Sequence, residues 1–148
     1  MMNTSSNGNR FQQEEDLERL LLDGLACLGF SGLVAEHSLA RRTIDLRGVP
    51  ISVIAIEEVD ELADHDFVLA APMYGVEASV PEALEFLFEI NLANALAGAG
   101  AFGRDKEGNL LLLKAMRSDK LDGMTLAAHM QWMVALVESV RDELRKLH

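Results

Sequence analysis

Residues 98–103 read Gly-Ala-Gly-Ala-Phe-Gly, a literal match to G-x-G-x-x-G. In dinucleotide-binding enzymes that pattern turns a strand into a helix and lays a pyrophosphate on the helix N-terminus. Asp119 and Asp122 even stand about twenty positions on, where such sites keep a carboxylate for the ribose. The neighbouring residues reverse the order that this chemistry needs. The run before the glycines, "PEALEFLFEINLANALAG", has helical spacing, and the run after them is a short strand and a hairpin. The glycines therefore meet the negative C-terminal end of a helix, which repels phosphate. Their expected role is a helix stop at Gly98 and a turn into a strand.

Other reactive residue types are scattered. His37, His65, His129 and His148 show no zinc-like spacing, and Cys27 has no cysteine to pair with. Cys27, among Leu25, Ala26 and Leu28, reads as an inert buried thiol. The group Asp60, Glu61, Asp64, His65 and Asp66 lacks the glycine and spacing of a calcium loop and reads as a solvated loop. Ser52 and Ser79 have no nucleophile-elbow setting. Arg41-Arg42 is a lone basic pair, read as a solvated strand end. No polar groups converge, so no catalytic residue, metal ligand or cofactor is expected, and an enzyme is disfavoured.

The 148 residues fit one domain with a real core, and its filling must come from Leu, Ala, Val and Met because aromatics are 5%. A net charge of −11 repels phosphate backbones and argues against nucleic acid. No apolar run approaches the ~20 residues of a membrane span, and "MMNTSSNGNR" carries no signal-peptide pattern. Residues 1–10 are read as a disordered tail and 11–148 as a single domain.

Spacing predicts a helix from Gln12 to Leu28, with Leu17, Leu20, Leu21, Gly24 and Leu28 on one face. Leu22 falls off that stripe and Leu25 sits on its shoulder. Two apolar runs around Arg47-Gly48-Val49-Pro50 predict a hairpin, and residues 66–75 a third strand. Ile51 to Ile56 is apolar at nearly every position, so this sheet is expected to meet something on both faces. Pro81 opens the next helix, which Gly98 ends. Leu84, Phe88, Leu92 and Ala95 form one apolar face of it; Phe86, Leu87, Ile90, Ala93 and Ala97 form another. A helix apolar on two faces must bury both, one on its own sheet and the other on a second copy. A hairpin around Asp105–Asn109 and a final helix from Thr125 to Leu147, capped by Thr125, complete the chain. The order is α-β-β-β-α-β-β-α, mostly antiparallel, class α+β.

With that order, "LLLDGLACLGF", "IDLRGVPISVIAI", "LEFLFEINLANALAGAGAFGRDKEGNLLLL" and the Leu/Met-rich final helix resemble the class I type III secretion chaperones, the family typified by the Tir chaperone. The likeness covers nearly all of residues 11–147, and the link "EEVDELADHD" (57–66) is longer than the pattern. The resemblance implies a homodimer of a bacterial cytosol. It would bind the N-terminal segment of one or more secreted effectors in extended form, keep it soluble and deliver it to the secretion ATPase. An extended client can add to an open sheet edge while its side chains enter apolar pockets. The expected pocket residues are Leu22, Leu25, Ile51, Val53, Ile54, Ile56 and Met73, with Met116 and Met130 as further groove candidates. The expected dimer residues are Leu84, Phe88, Asn91, Leu92 and Ala95. The alternative is a regulatory or small-ligand-binding domain on a similar α+β scaffold.

Overall fold

A computed structural model describes residues 2–56, 65–76 and 80–147, with side chains from Gln12 onward. Four helices and five strands follow one another as α1 (Met2–Cys27), α2 (Gly32–Arg41), β1 (Thr43–Leu46), β2 (Val49–Ala55), β3 (Phe67–Met73), α3 (Pro81–Ala97), β4 (Ala101–Arg104), β5 (Leu110–Met116) and α4 (Gly123–Lys146), with a short 3-10 turn at Ser118–Lys120. The strands form one antiparallel sheet in the order β1-β2-β3-β5-β4. The class is therefore α+β, as expected.

Three details correct the sequence reading. Residues 2–10, expected as a tail, continue α1 toward the N-terminus. Their Ser, Asn and Gly carry low helix propensity and no apolar spacing, so nothing in the sequence marks them as helical. A second helix, α2, stands before β1 where no element was expected. The cap of α4 is Asp122, whose carboxylate accepts the Thr125 N–H at 2.7 Å, so Thr125 lies inside the first turn.

The β1–β2 hairpin turns on Arg47 and Gly48 alone, with φ of 50° and 83°, the two-residue turn that matches strand twist. Val49 and Pro50 already belong to β2. Pairing of β2 with β3 stops at Ser52–Ala70. The same register would next bring Pro50 opposite Pro72, and neither has an N–H to donate.

Phe67, Leu69, Ile51, Val53 and Leu112 point to one side of the sheet and meet Met130, Met133 and Val134 of α4. The α4 stripe Leu126, Met130, Met133, Val137, Val140 and Leu144 is buried throughout, as its spacing predicts. Helix α1 packs on α4 through Leu17, Leu20, Leu21 and Leu25. The two backbones come so close that a Cβ on Gly123 would stand 2.5 Å from Asp23 Cβ.

The glycine run has the local role its context predicts. Gly98 takes φ 67° and ends α3 by donating to Ala95 O, and Ala99 N–H donates to Asn94 O at 2.8 Å. Gly100, at φ 93°, passes so near β5 that a Cβ would stand 2.5 Å from Leu113 O. Gly98→Ala meets open space and is expected to cost about 1 kcal/mol for the left-handed backbone alone. Gly100→Ala adds a clash with a main-chain oxygen and is expected to cost roughly 3 kcal/mol. Urea unfolding of the two variants checks the ratio.

Candidate functional site

Two features of the single chain expose apolar surface: a groove beside the β1 edge and a stripe on α3. The groove is built by α2, a helix that buries Ser38 and packs Ala35 and Leu39 against the core. Its other side faces solvent, with Leu33 82% exposed and Val34 58% exposed. Leu33 and Val34, with Phe30 before the helix, form the apolar wall of an open groove of about 690 Å³. His37, Arg41 and Asp45 form its polar margin. Arg41 Nη1 stands 3.2 Å from His37 Nε2, and Arg41 reaches Asp45 of β1 at 3.9 Å. Arg41-Arg42 is thus not a strand end. Arg41 closes α2, and Arg42 is its left-handed cap, paired with Glu18 at 3.4 Å.

Because Asp45 lines this groove, the groove borders the edge of the sheet. Val53 N–H donates to Arg42 O at 2.8 Å, which fixes the alternation of the β1–β2 ladder. Ile44 and Leu46 then turn their main-chain groups toward β2, while Thr43 and Asp45 turn theirs outward. Among the described residues no backbone hydrogen bond reaches those outward groups. An edge with unpaired N–H and C=O groups is a template for another strand.

The second feature lies on α3. Ala83, Leu87 and Asn94 are buried, and Phe86 and Ile90 pack against the core. The opposite face holds Phe88, Leu92 and Leu96 at 72%, 64% and 83% exposure, with Ala95 exposed and Leu84 half-buried. Of the two apolar faces expected on this helix, the Leu84–Phe88–Leu92–Ala95 face is the outer one. Asn91, expected at a dimer interface, has a partner within its own chain. Its Oδ1 accepts the Phe102 N–H at 2.7 Å, and its Nδ2 donates to Phe102 O at 3.0 Å.

The residues expected to form client pockets divide by strand parity. Leu25, Ile51, Val53 and Met73 lie in the core, as do Met116 and Met130, and offer no surface in this chain. An apolar run fits one strand with both faces covered and equally one with an apolar outer face, so the inward residues were not separable by sequence. Leu22 and Ile54 are exposed and Ile56 is half-buried. Ile54 joins Val68, Ala115 and Leu113 on the outer face of the sheet. The groove residues Leu33, Val34, His37 and Arg41 were missed. Their signal was the i, i+4, i+8 spacing of 33, 37 and 41 between Ser31 and the β1 strand.

Other polar residues make contacts within the chain. Asp66 Oδ1 accepts the Ser118 N–H at 2.8 Å and ties the start of β3 to the 3-10 turn; Asp60, Glu61 and Asp64 lie outside the described residues. Cys27 is exposed, not buried as expected, because it stands off the Leu21–Leu25 stripe at the end of α1. Lys114 Nζ lies 2.8 Å from His129 Nδ1 and 5.4 Å from the Trp132 ring centroid. Burial lowers the pKa of both groups, and the Lys114 charge lowers that of His129 further. Among the described residues no three His, Cys, Asp or Glu side chains are grouped to hold a metal, and no helix is long and apolar enough to cross a membrane.

Comparison with known proteins bears on the fold and the family. No curated protein matches the chain by sequence. A chain of the solved HopA1–SchA chaperone–effector complex superposes with a TM-score of 0.61 at 17% identity, over 86% of this chain and 94% of that one. That likeness establishes a shared fold. The family model of the Tir chaperone proteins matches residues 59–141, more than half of the sequence and the part that holds β3, α3, β4, β5 and most of α4. This chain belongs to the Tir chaperone protein (CesT) family.

Proposed function

We propose that this protein is a type III secretion chaperone of the bacterial cytosol that binds the N-terminal segment of one or more effectors in extended form. The observation that carries the reading is the open β1 edge lying beside an apolar groove. A client strand hydrogen-bonds to the outward groups of Thr43 and Asp45, and its side chains on one face rest on Leu33, Val34 and Phe30. Main-chain pairing is insensitive to sequence, so it suits a site that holds an unfolded segment. The apolar wall selects clients with large side chains at alternate positions. Of the pocket residues expected from the sequence, Leu22, Ile54 and Ile56 remain in the proposal, as exposed or half-exposed apolar surface over which a longer client segment can continue.

The α3 stripe is proposed to pair with a second copy, making the chaperone a homodimer. Four large or small apolar residues facing solvent in a row exceed the scattered surface leucines of a monomer. The client is kept soluble and handed to the export ATPase, and the protein has no catalytic role of its own. The groove is open and its Arg41 is already engaged by His37 and Asp45, which disfavours a small-ligand site.

Co-expression with secreted proteins encoded nearby, followed by pull-down, tests the reading. An effector's N-terminal segment is expected to co-purify in a soluble complex. Absence of any such partner, together with a metabolite that raises the melting temperature, would instead support the small-ligand alternative.

A further inference from the structure

The sheet has two edges, and they are not alike. At β4, Asp105 N–H donates to Asn109 O at 3.0 Å, which fixes the alternation of the β4–β5 ladder. Gly103 and Ala101 then face β5, while Phe102 and Arg104 turn their main-chain groups outward. Phe102 is the outward residue at the middle of a strand only four residues long. Both of its groups are engaged by the Asn91 carboxamide, one as donor at 2.7 Å and one as acceptor at 3.0 Å. A carboxamide carries a donor and an acceptor side by side, so it presents to Phe102 the same pair that a neighbouring strand would present. Among the described residues nothing comparable stands at β1, where Thr43 Oγ1 donates back to Arg41 O and leaves the outward main-chain groups open.

We infer that Asn91 closes the β4 edge to strand addition, and so leaves β1 as the edge that takes an extended client; this rests on the reading of β1 given above. Asn91 is held on α3, and α3 is fixed against the sheet through Leu87 and Ala83. The lock is therefore built from a rigid element and needs no partner copy. A chaperone that handles extended segments is itself at risk of pairing through any spare edge. Asn91 removes that risk at the edge where α3 can reach it and β1 keeps it where α2 supplies a groove.

The test uses the full chain alone, so a failure to capture client leaves its result readable. Asn91→Leu keeps the branched shape and the number of side-chain heavy atoms, does not weaken the helix, and removes both hydrogen bonds. The Phe102 amide is expected to exchange about tenfold faster. The variant is expected to form larger, thioflavin-positive species on sedimentation, with helix content by circular dichroism unchanged. Ala101 is exposed on the same strand, and a lysine on an edge strand opposes pairing. Adding Ala101→Lys is expected to restore the wild-type size while the Phe102 amide stays fast. A brace that merely supports packing would not be rescued in this way. The inference is overturned if Asn91→Leu keeps the wild-type size, or if its larger species persist with Ala101→Lys. Should Asn91→Leu fail to fold, Asn91→Ala carries the same comparison, with the same two outcomes deciding it.

Discussion

Phe88→Asp is expected to yield a folded monomer in place of the dimer proposed for the wild-type chain. Within one chain Phe88 is 72% exposed and sits mid-helix, so the substitution removes little packing. Surface changes of this kind fall within about 0.5 kcal/mol. Against a second copy the same position is the centre of the Leu84–Phe88–Leu92 stripe. Two copies related by a two-fold axis bring the stripe against itself, so each substitution enters the interface twice. An unpaired carboxylate held there costs several kcal/mol for each copy. The dimer dissociation constant should therefore rise more than about a hundredfold, since each 1.4 kcal/mol is tenfold. Sedimentation velocity, with circular dichroism for the fold, measures it. An unchanged dimer would place the interface elsewhere, with the outer face of the sheet around Ile54 and Leu113 as the next apolar surface.

Leu33→Asp combined with Val34→Asp is expected to abolish client retention and leave both fold and dimer intact. The two side chains are exposed in the free chain, so their loss does not weaken the core. In the complex they are the apolar wall beside the β1 edge. Anchors of that kind contribute about 1–2 kcal/mol each on truncation, and a carboxylate facing the client adds repulsion where the client is apolar. A loss of roughly a hundredfold in affinity follows. The contrast with Phe88→Asp is the informative part. One substitution separates copies and spares the groove; the other empties the groove and spares the dimer. If both variants lose client to the same degree, the client spans the two copies and the groove alone does not hold it.

The sequence conveyed the long elements and obscured the short one. α3, α4 and the second half of α1 each carry an apolar stripe or a Pro start and Gly stop, and those signals are local; residues 2–10 of α1 carry neither. α2 carries ten residues, and its inward face is short and broken by a polar side chain: Ala35, Ser38 and Leu39. Its other apolar residues, Leu33 and Val34, face out, which blurs the helical pattern and underlies its proposed role. The hairpins were legible from Arg47-Gly48 and Asp105–Asn109, since their turns need those residue types. Which strand residues face the core was not. Ile51 and Ile54 are alike in composition and opposite in burial, and only the register with β3 separates them. From its position on an apolar helix Asn91 reads as a dimer residue, and nothing in the fold tests that expectation. Its bond to Phe102 depends on where β4 lies, eleven residues later, and no local pattern encodes that.

On the proposed reading an extended client adds to β1, over the groove made by α2. Amide hydrogen exchange of the chaperone with and without its co-purified client segment tests it most directly. Slowed exchange at Thr43 and Asp45, with Phe102 unchanged, is the predicted result. A tightly bound client that leaves Thr43 and Asp45 as fast as in the free protein would contradict it.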